Sequence, residues 1–338
     1  MSIRPVGKWR AAMSSLVLTA ALAAVPVARG TEMIVTSEVP TSHWKTKYLN
    51  AFAEDVKQRT NGALTVKVFP GATLYNDQDA MAALGTGAVH MVWPLAVRLE
   101  TIAPPTGIVN LPFALTDAGM ENSCFSSGLT KMISSYVEPR NLEVMAFLRT
   151  ADLMYIFKNR EVQKLEDLKG TKIRVTGGKV FLDMIRSLNA SPVSLPASEM
   201  STAISQGAID GVLSSPAGWA NIIGITAKYG WYVPGMSLGT YAVLVDKPWF
   251  EKLPAEQRKA ISDSIAEIAQ RQWKEAIEED KVLIKKMVSQ GAVFHTASAP
   301  ELQRWKSLAT GGNKAFMEKY PDATARFAAL EKSCGLAK

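Results

Sequence analysis

One order of elements (strand, helix, strand, helix, strand) occurs twice in this chain, and few architectures accommodate that. In the first unit MIVTSEV is an apolar strand. Trp44, Leu49, Phe52 and Val56 then approximate one face of a helix that Asn61-Gly62 stops. LTVKVF alternates as a strand, Asn76 caps the helix DQDAMAAL with Gly85 just past its end, and the apolar strand AVHMVW halts at Pro94. The second unit repeats this. Gly170 precedes the strand KIRV, VFLDMIRSL is helical with Asn189 as its stop, and PVSL is a short strand. Ser198 caps EMSTAISQ, Gly207 ends it, and AIDGVL returns as a strand. Two such units predict an α/β fold of two lobes, each a mostly parallel sheet flanked by helices.

The segments between and after the units predict how the lobes connect. LEVMAFL and LMYIF read as strands joined by Arg149-Thr150-Ala151-Asp152, a passage suited to a hinge. GTYAVLVDKPWF reads as a strand returning to the first lobe. From Pro254 to Gln290, apolar residues recur near helical spacing until Gly291. One unbroken helix there would be on the order of 55 Å long, enough to lie across both lobes. The alternative is two helices broken near Gln272.

The 338 residues suffice for two domains, and 47% hydrophobic against 20% charged residues fits a globular chain rather than a disordered one. Residues 1–30 read as an export signal. Arg4, Lys8 and Arg10 form a basic start, SSLVLTAALAAVPVA is too short an apolar run for a confident membrane span, and Ala28-Arg29-Gly30 offers a cleavage site. A permanent N-terminal anchor is the alternative. Removal of residues 1–30 lowers Lys+Arg from 38 to 34 against 31 Asp+Glu, so formal charge falls from +7 to +3. With no long basic cluster left, nucleic acid is not an expected partner. The two cysteines, Cys124 and Cys334, face an oxidising compartment if the chain is exported; a disulfide and two separate buried thiols are both compatible with the sequence.

Chemistry is scarce. His43, His90 and His295 are the only histidines and none has zinc-ligand spacing. GxSxG, P-loop, CxxC and GxGxxG motifs are absent. Neither an enzyme nor a cofactor or metal is expected. His90 reads as a core residue; His43, at a strand-to-helix loop, reads as a surface residue with ligand contact as the alternative. One residue stands out. Arg174 lies on KIRV, an inner strand whose two faces are both expected to be buried, and a buried guanidinium without an anion is strongly unfavourable. The following Thr176-Gly177-Gly178 lets backbone amides approach a ligand. In open α/β sheets ligands bind beyond the carboxyl ends of the strands. Those ends carry Glu38 to Trp44, Phe69 to Tyr75, Trp93-Pro94, Arg174 to Gly178 and Ser214 to Trp219. Arg174 is thus expected to hold a carboxylate, Ser214 and Ser215 to add polar contacts, and Trp93 and Trp219 either to wall the site or to pack the core.

At this point FPGATLYNDQDAMAALGTGAVHM, EDLKGTKIRV, ASEMSTAISQGAIDG and DKPWFEKLPAEQRKAI together make the chain resemble the substrate-binding proteins of TRAP (tripartite ATP-independent periplasmic) transporters, the DctP-like family. The resemblance runs over essentially all of the chain after residue 30. It implies a periplasmic, monomeric binding protein that closes over an organic acid and delivers it to a membrane permease. It also implies lobes formed by residues 31–151 with 240–280 and by 152–239 with 281–333. The family's carboxylate-binding arginine matches Arg174. A second ligand-facing arginine of many members falls on Met154, and a frequent asparagine falls on Ser214. Both changes remove polar grip, so a monocarboxylate with a compact or apolar remainder is the expected ligand, unless Arg98 or Arg149 compensates. A periplasmic sensor component and, less in keeping with the residues, an exported enzyme are the competing readings.

Overall fold

A computed structural model describes residues 1–3 and 30–336. The apolar leader and the cleavage site expected near Gly30 fall largely outside the described residues. Among those residues, no helix is long and apolar enough to cross a membrane.

Among the described residues, eleven strands form two sheets. The first contains β1 (Thr31–Thr36), β2 (Leu64–Phe69), β3 (Met91–Val92), β4 (Leu142–Asp152) and β10 (Leu238–Asp246), in the order β2-β1-β3-β10-β4. The second contains β5 (Met154–Phe157), β6 (Lys172–Val175), β7 (Ser191–Ser194), β8 (Gly211–Ser214), β9 (Tyr229–Tyr232) and β11 (Val293–Thr296), in the order β11-β9-β5-β8-β6-β7. β1 runs parallel to β2 and β3, and β6 parallel to β7 and β8, as the two repeated units require. Each sheet has one reversed strand, β10 in the first and β5 in the second. Both are strands the chain enters on crossing from the other sheet.

The crossings are tight. β4 continues through Arg149–Asp152, so these residues are strand and the joint shrinks to Leu153, whose N–H donates to Ser237 O at 2.8 Å. The return passes through residues 233–237 into β10. The third connection is the helix Ala255–Ser289, 35 residues without a break and roughly 52 Å long. Gln272, where a break was the alternative, is fully buried in it; its side chain accepts from Arg149 N at 2.9 Å and donates to Arg149 O at 2.7 Å. The helix packs on β4 and on helix Trp44–Arg59 at one end, and on β11 and residues 219–223 at the other.

Local signals hold at several caps and fail at one. Asn76 accepts from the N–H groups of Gln78 and Asp79 at 3.0 Å. Ser198 caps nothing: a short 3-10 turn, Ala197–Glu199, leads directly into helix Met200–Ser205. The end of the chain differs from the expected division as well. Helix Pro321–Ser333, expected with the second lobe, packs on helix Ser123–Val137 beside the first sheet. Cys124 and Cys334 are joined in a disulfide there, Phe125 meets Phe327 edge-on at 5.6 Å, and Tyr136 donates to Asp322 at 2.9 Å.

Candidate functional site

The carboxyl ends of β1, β6 and β8 converge between the two sheets on a cavity of about 30 Å³, on the order of two water molecules. Glu38, His43, Arg174, Thr176, Ser214, Ser215 and Tyr241 contribute to its wall, with Leu153, Phe181 and Met200 supplying apolar surface. Lys172 and Arg174 lie on the same face of β6; Lys172, at the start of the strand, is exposed, whereas Arg174, near its carboxyl end, is 2% exposed and reaches the cavity.

Arg174 has an incomplete set of partners. Its Nε donates to Leu195 O at 2.9 Å, Nη2 is buried with no acceptor, and among the described residues no carboxylate forms an ion pair with it. Burial pulls its pKa down to about 10; Glu38 opposes that shift and Arg98 adds to it. Burying a charge in this way costs several kcal/mol, on the order of magnitude found for unpaired ions.

The surroundings explain why the protein's own acids do not serve. Glu38 lies 3.6 Å from Arg98 and accepts from Ala197 N at 3.2 Å and Asp77 N at 3.3 Å. Asp77 is engaged by Lys45 Nζ at 3.3 Å and accepts from Glu38 N at 3.1 Å; burial raises its pKa. Lys45 is itself fully buried, donates to Trp93 O at 3.0 Å and sits 4.3 Å from the centre of the Tyr241 ring. The cluster thus sets three cations, Lys45, Arg98 and Arg174, against two carboxylates, Glu38 and Asp77. It is short of one anion at Arg174.

Each expected site residue has a definite position. Ser214 and Ser215 line the cavity, Ser215 also capping the turn Pro216–Gly218 by accepting from Gly218 N at 3.0 Å. His43 is not a surface residue: it is 2% exposed and its Nδ1 caps helix Trp44–Arg59 by accepting from Lys45 N at 3.1 Å. Burial and the Lys45 charge push its pKa down to about 3, so the ring is neutral and the proton sits on Nε2. Trp93 and Trp219 do not line the cavity. Trp93 packs near Phe52 and Trp219 donates to Ala227 O at 2.8 Å, both in separate hydrophobic cores. Met154 does not line it either; its methyl end and the Trp219 ring converge on Gly230, and it is Leu153 that reaches the cavity. Arg149 does not replace a second arginine, because its guanidinium donates to Asp117 at 2.8 Å and Asp280 at 2.6 Å away from the cavity. Arg98 is the second cation beside Arg174. His90 is a core residue, its Nδ1 accepting from Ile34 N at 2.8 Å.

The sequence reading missed Lys45, Asp77 and Tyr241. Lys45 and Asp77 sit in first turns of helices, where such residues are ordinarily exposed, and Tyr241 sits mid-strand. For Lys45 and Asp77 the one signal was position, since each follows a strand end that faces the opposite sheet; Tyr241 carried none. The glycines after Arg174 also have a different role from the one expected. The N-terminus of helix Lys179–Ser187 is occupied by the protein's own Glu100, whose Oε2 accepts from Val180 N at 3.1 Å. Gly178 (φ +78°) permits that approach, because a Cβ there would lie 2.2 Å from Val97 Cγ2.

A family model, "Bacterial extracellular solute-binding protein, family 7", matches residues 35–319. Among curated relatives, the C4-dicarboxylate-binding periplasmic protein DctP of Rhodobacter capsulatus is 26% identical over 299 residues, 88% of each chain. Among solved structures, the sugar acid binding protein DctPAm of Advenella mimigardefordensis, in complex with galactonate, superposes with a TM-score of 0.84 at 18% identity, covering 90% of this chain and 98% of that one. DctP7 of Bordetella pertussis, an extracytoplasmic solute receptor binding pyroglutamic acid, superposes at 0.81 with 22% identity, covering 90% and 100%. With a two-sheet fold, a cleft between the sheets and a match across most of its length, this chain belongs to family 7 of the bacterial extracellular solute-binding proteins.

Proposed function

We propose that this protein is the periplasmic receptor of a TRAP-type transporter, that it captures a small monocarboxylate, and that it hands this acid to a membrane permease. The observation that carries the reading is the Arg174 guanidinium, buried, without a carboxylate partner, and facing a cavity at the ends of the strands. A ligand carboxylate supplies the missing anion, accepting from Nη atoms while Nε stays on Leu195 O. Ser214, Ser215 and the His43 Nε2 proton complete the polar wall, and no group there is needed as an acid or base.

The names of the relatives support an organic acid as the ligand class. A single carboxylate with a compact remainder is favoured by two features. The cavity is small, and Arg149 is committed to Asp117 and Asp280. Capture and release follow from lobe motion: residues 31–151 with 240–280 form one lobe, together with the disulfide-tethered helix Pro321–Ser333, and residues 152–239 with 281–320 form the other. The chain bends at Leu153 and at 233–237, and the permease distinguishes the closed, loaded monomer from the open, empty one. Residues 1–30 direct export and are removed near Gly30.

The test is a panel of organic acids, among them pyroglutamate, short monocarboxylates, succinate and glucuronate, screened by thermal shift and then by calorimetry. A ligand at about a hundred times its Kd stabilises by about 2.7 kcal/mol. Arg174→Ala is expected to lose at least a hundredfold in affinity. Wild-type affinity in that variant refutes the site, and succinate or glucuronate as the tightest ligand refutes the monocarboxylate.

A further inference from the structure

Helix Lys179–Ser187 begins at Gly178, which has no side chain to cap it. Its first turn is capped from the other lobe instead, Val180 N donating to Glu100 Oε2 at 3.1 Å. Glu100 lies in the 3-10 segment Ala96–Thr101, which follows β3 of the first sheet, and the helix follows β6 of the second. Both partners thus stand beyond carboxyl ends of strands, on facing sides of the cleft, and their hydrogen bond crosses it.

The backbone is shaped for closeness on both sides of this crossing. On the second lobe, a Cβ at Gly178 would lie 2.2 Å from Val97 Cγ2, 2.9 Å from Val97 O and 3.0 Å from Glu100 Oε1. On the first lobe, a Cβ at Gly107 would lie 2.8 Å from Phe316 Cε2 and 3.2 Å from Val180 Cγ2, both of the second lobe, and 3.1 Å from Glu100 Cδ. Gly178 has φ +78°, which any side chain would strain, whereas Gly107 is outside the left-handed region. A side chain at Gly107 is therefore a wedge between the lobes and little else.

One short piece of chain ties the crossing to the ligand site. β6 carries Arg174 and leads through Gly177 and Gly178 into the helix, where Val180 meets Glu100 and Phe181 lines the Arg174 cavity. Glu100 itself does not line that cavity. We propose that Glu100 is a positioning residue for capture: by capping helix Lys179–Ser187 across the cleft, it holds that helix, β6 and Arg174 in the closed arrangement. A carboxylate on Arg174 and the cap on the helix draw the same unit toward the first lobe, so each strengthens the other. The proposal rests on capture by lobe closure as set out above.

The experiment puts one spin label on each lobe, through Lys57→Cys and Lys169→Cys at exposed positions, and measures their separation with and without pyroglutamate. It is run at about pH 5, where burying the Glu100 carboxyl costs least. Glu100→Gln keeps an acceptor for Val180 N; Glu100→Ala does not. The closed-to-open ratio of Glu100→Gln should exceed those of Glu100→Ala and Gly107→Val roughly tenfold, the size of one helix cap. Pyroglutamate should dissociate about tenfold faster from Glu100→Ala and Gly107→Val than from wild type, and no faster from Glu100→Gln. Gly107→Ala is a smaller wedge, decisive if Gly107→Val does not fold. Indistinguishable distances in all variants overturn the proposal. So does a loss confined to the unfolding temperature, with distances and dissociation rates unchanged, which is what a merely structural role predicts. If pyroglutamate does not bind, the ligand-free ratios still decide the role of Glu100, and the panel of acids separately decides capture.

Discussion

Replacing Glu100 by glutamine should make this protein more stable, by a margin that grows as pH rises from about 4.5 to about 7. Glu100 extends from the first half of the molecule to the helix Lys179–Ser187 of the second. Burial raises its pKa from 4.5 to about 7, although the Val180 and Lys179 amides work in the opposite direction. Between those two values the folded protein keeps a proton that the unfolded chain has released. Stability therefore falls as pH rises through that window, by up to about 1.4 kcal/mol per pH unit for one proton, and is constant above it. Glu100→Gln keeps an acceptor for Val180 N and has no charge to bury. The variant should match wild type near the acid end of the window and exceed it by an amount on the order of 3 kcal/mol, as an upper figure, at the alkaline end. Urea denaturation of both proteins at several pH values from about 5 to 8 gives the difference directly, and Asp77 and Asp280, whose pKa values burial also raises, cancel in it. A difference that is flat across the window, or that reverses sign, refutes the assignment of a buried, proton-holding Glu100.

Two further outcomes test other parts of the fold. Arg149→Ala leaves Asp117 and Asp280 without their shared cation and should cost about 3–5 kcal/mol in urea denaturation, while the affinity of any acid bound at Arg174 stays at the wild-type value. A loss below about 1 kcal/mol would show that the pair is dispensable. Cys334→Ser opens a crosslink spanning 210 residues and should lower stability by about 2–4 kcal/mol, the same loss that reduction causes in the wild type. Calorimetric scans with and without reductant measure both, and an unchanged unfolding temperature would contradict the tethering role.

Both units, the long helix and Arg174 were legible because each rests on a local signal: period, caps, or one charge on a strand otherwise expected to be buried. Lys45 and Asp77 were not, since their burial depends on a neighbour distant in sequence. Lys45 is in the core because Asp77, Trp93 O and Tyr241 meet it there. His43 misled for the same reason, as a loop position says nothing about what packs over it. Trp93 and Trp219 sit beside strand ends, and only the pleat decides whether such a ring faces a cleft or a core. Arg149 and Arg98 looked equivalent in sequence, and two acids outside the cavity, Asp117 and Asp280, separate them. The disulfide required Cα atoms 5.6 Å apart, which spacing along the chain cannot reveal.

The strands on either side of Leu153 and Ser237 pass from sheet to sheet side by side, hydrogen-bonded to each other, with Gln272 of the long helix clasping Arg149 just before the joint. A paired ribbon flexes easily across its thin direction and resists shear and torsion, and the clasp removes what sideways freedom is left. On the lobe motion proposed above, the protein should move as a book with a sewn spine, every partly open form lying on one arc, so that a single distance between two labels, one on each cover, reports its whole travel.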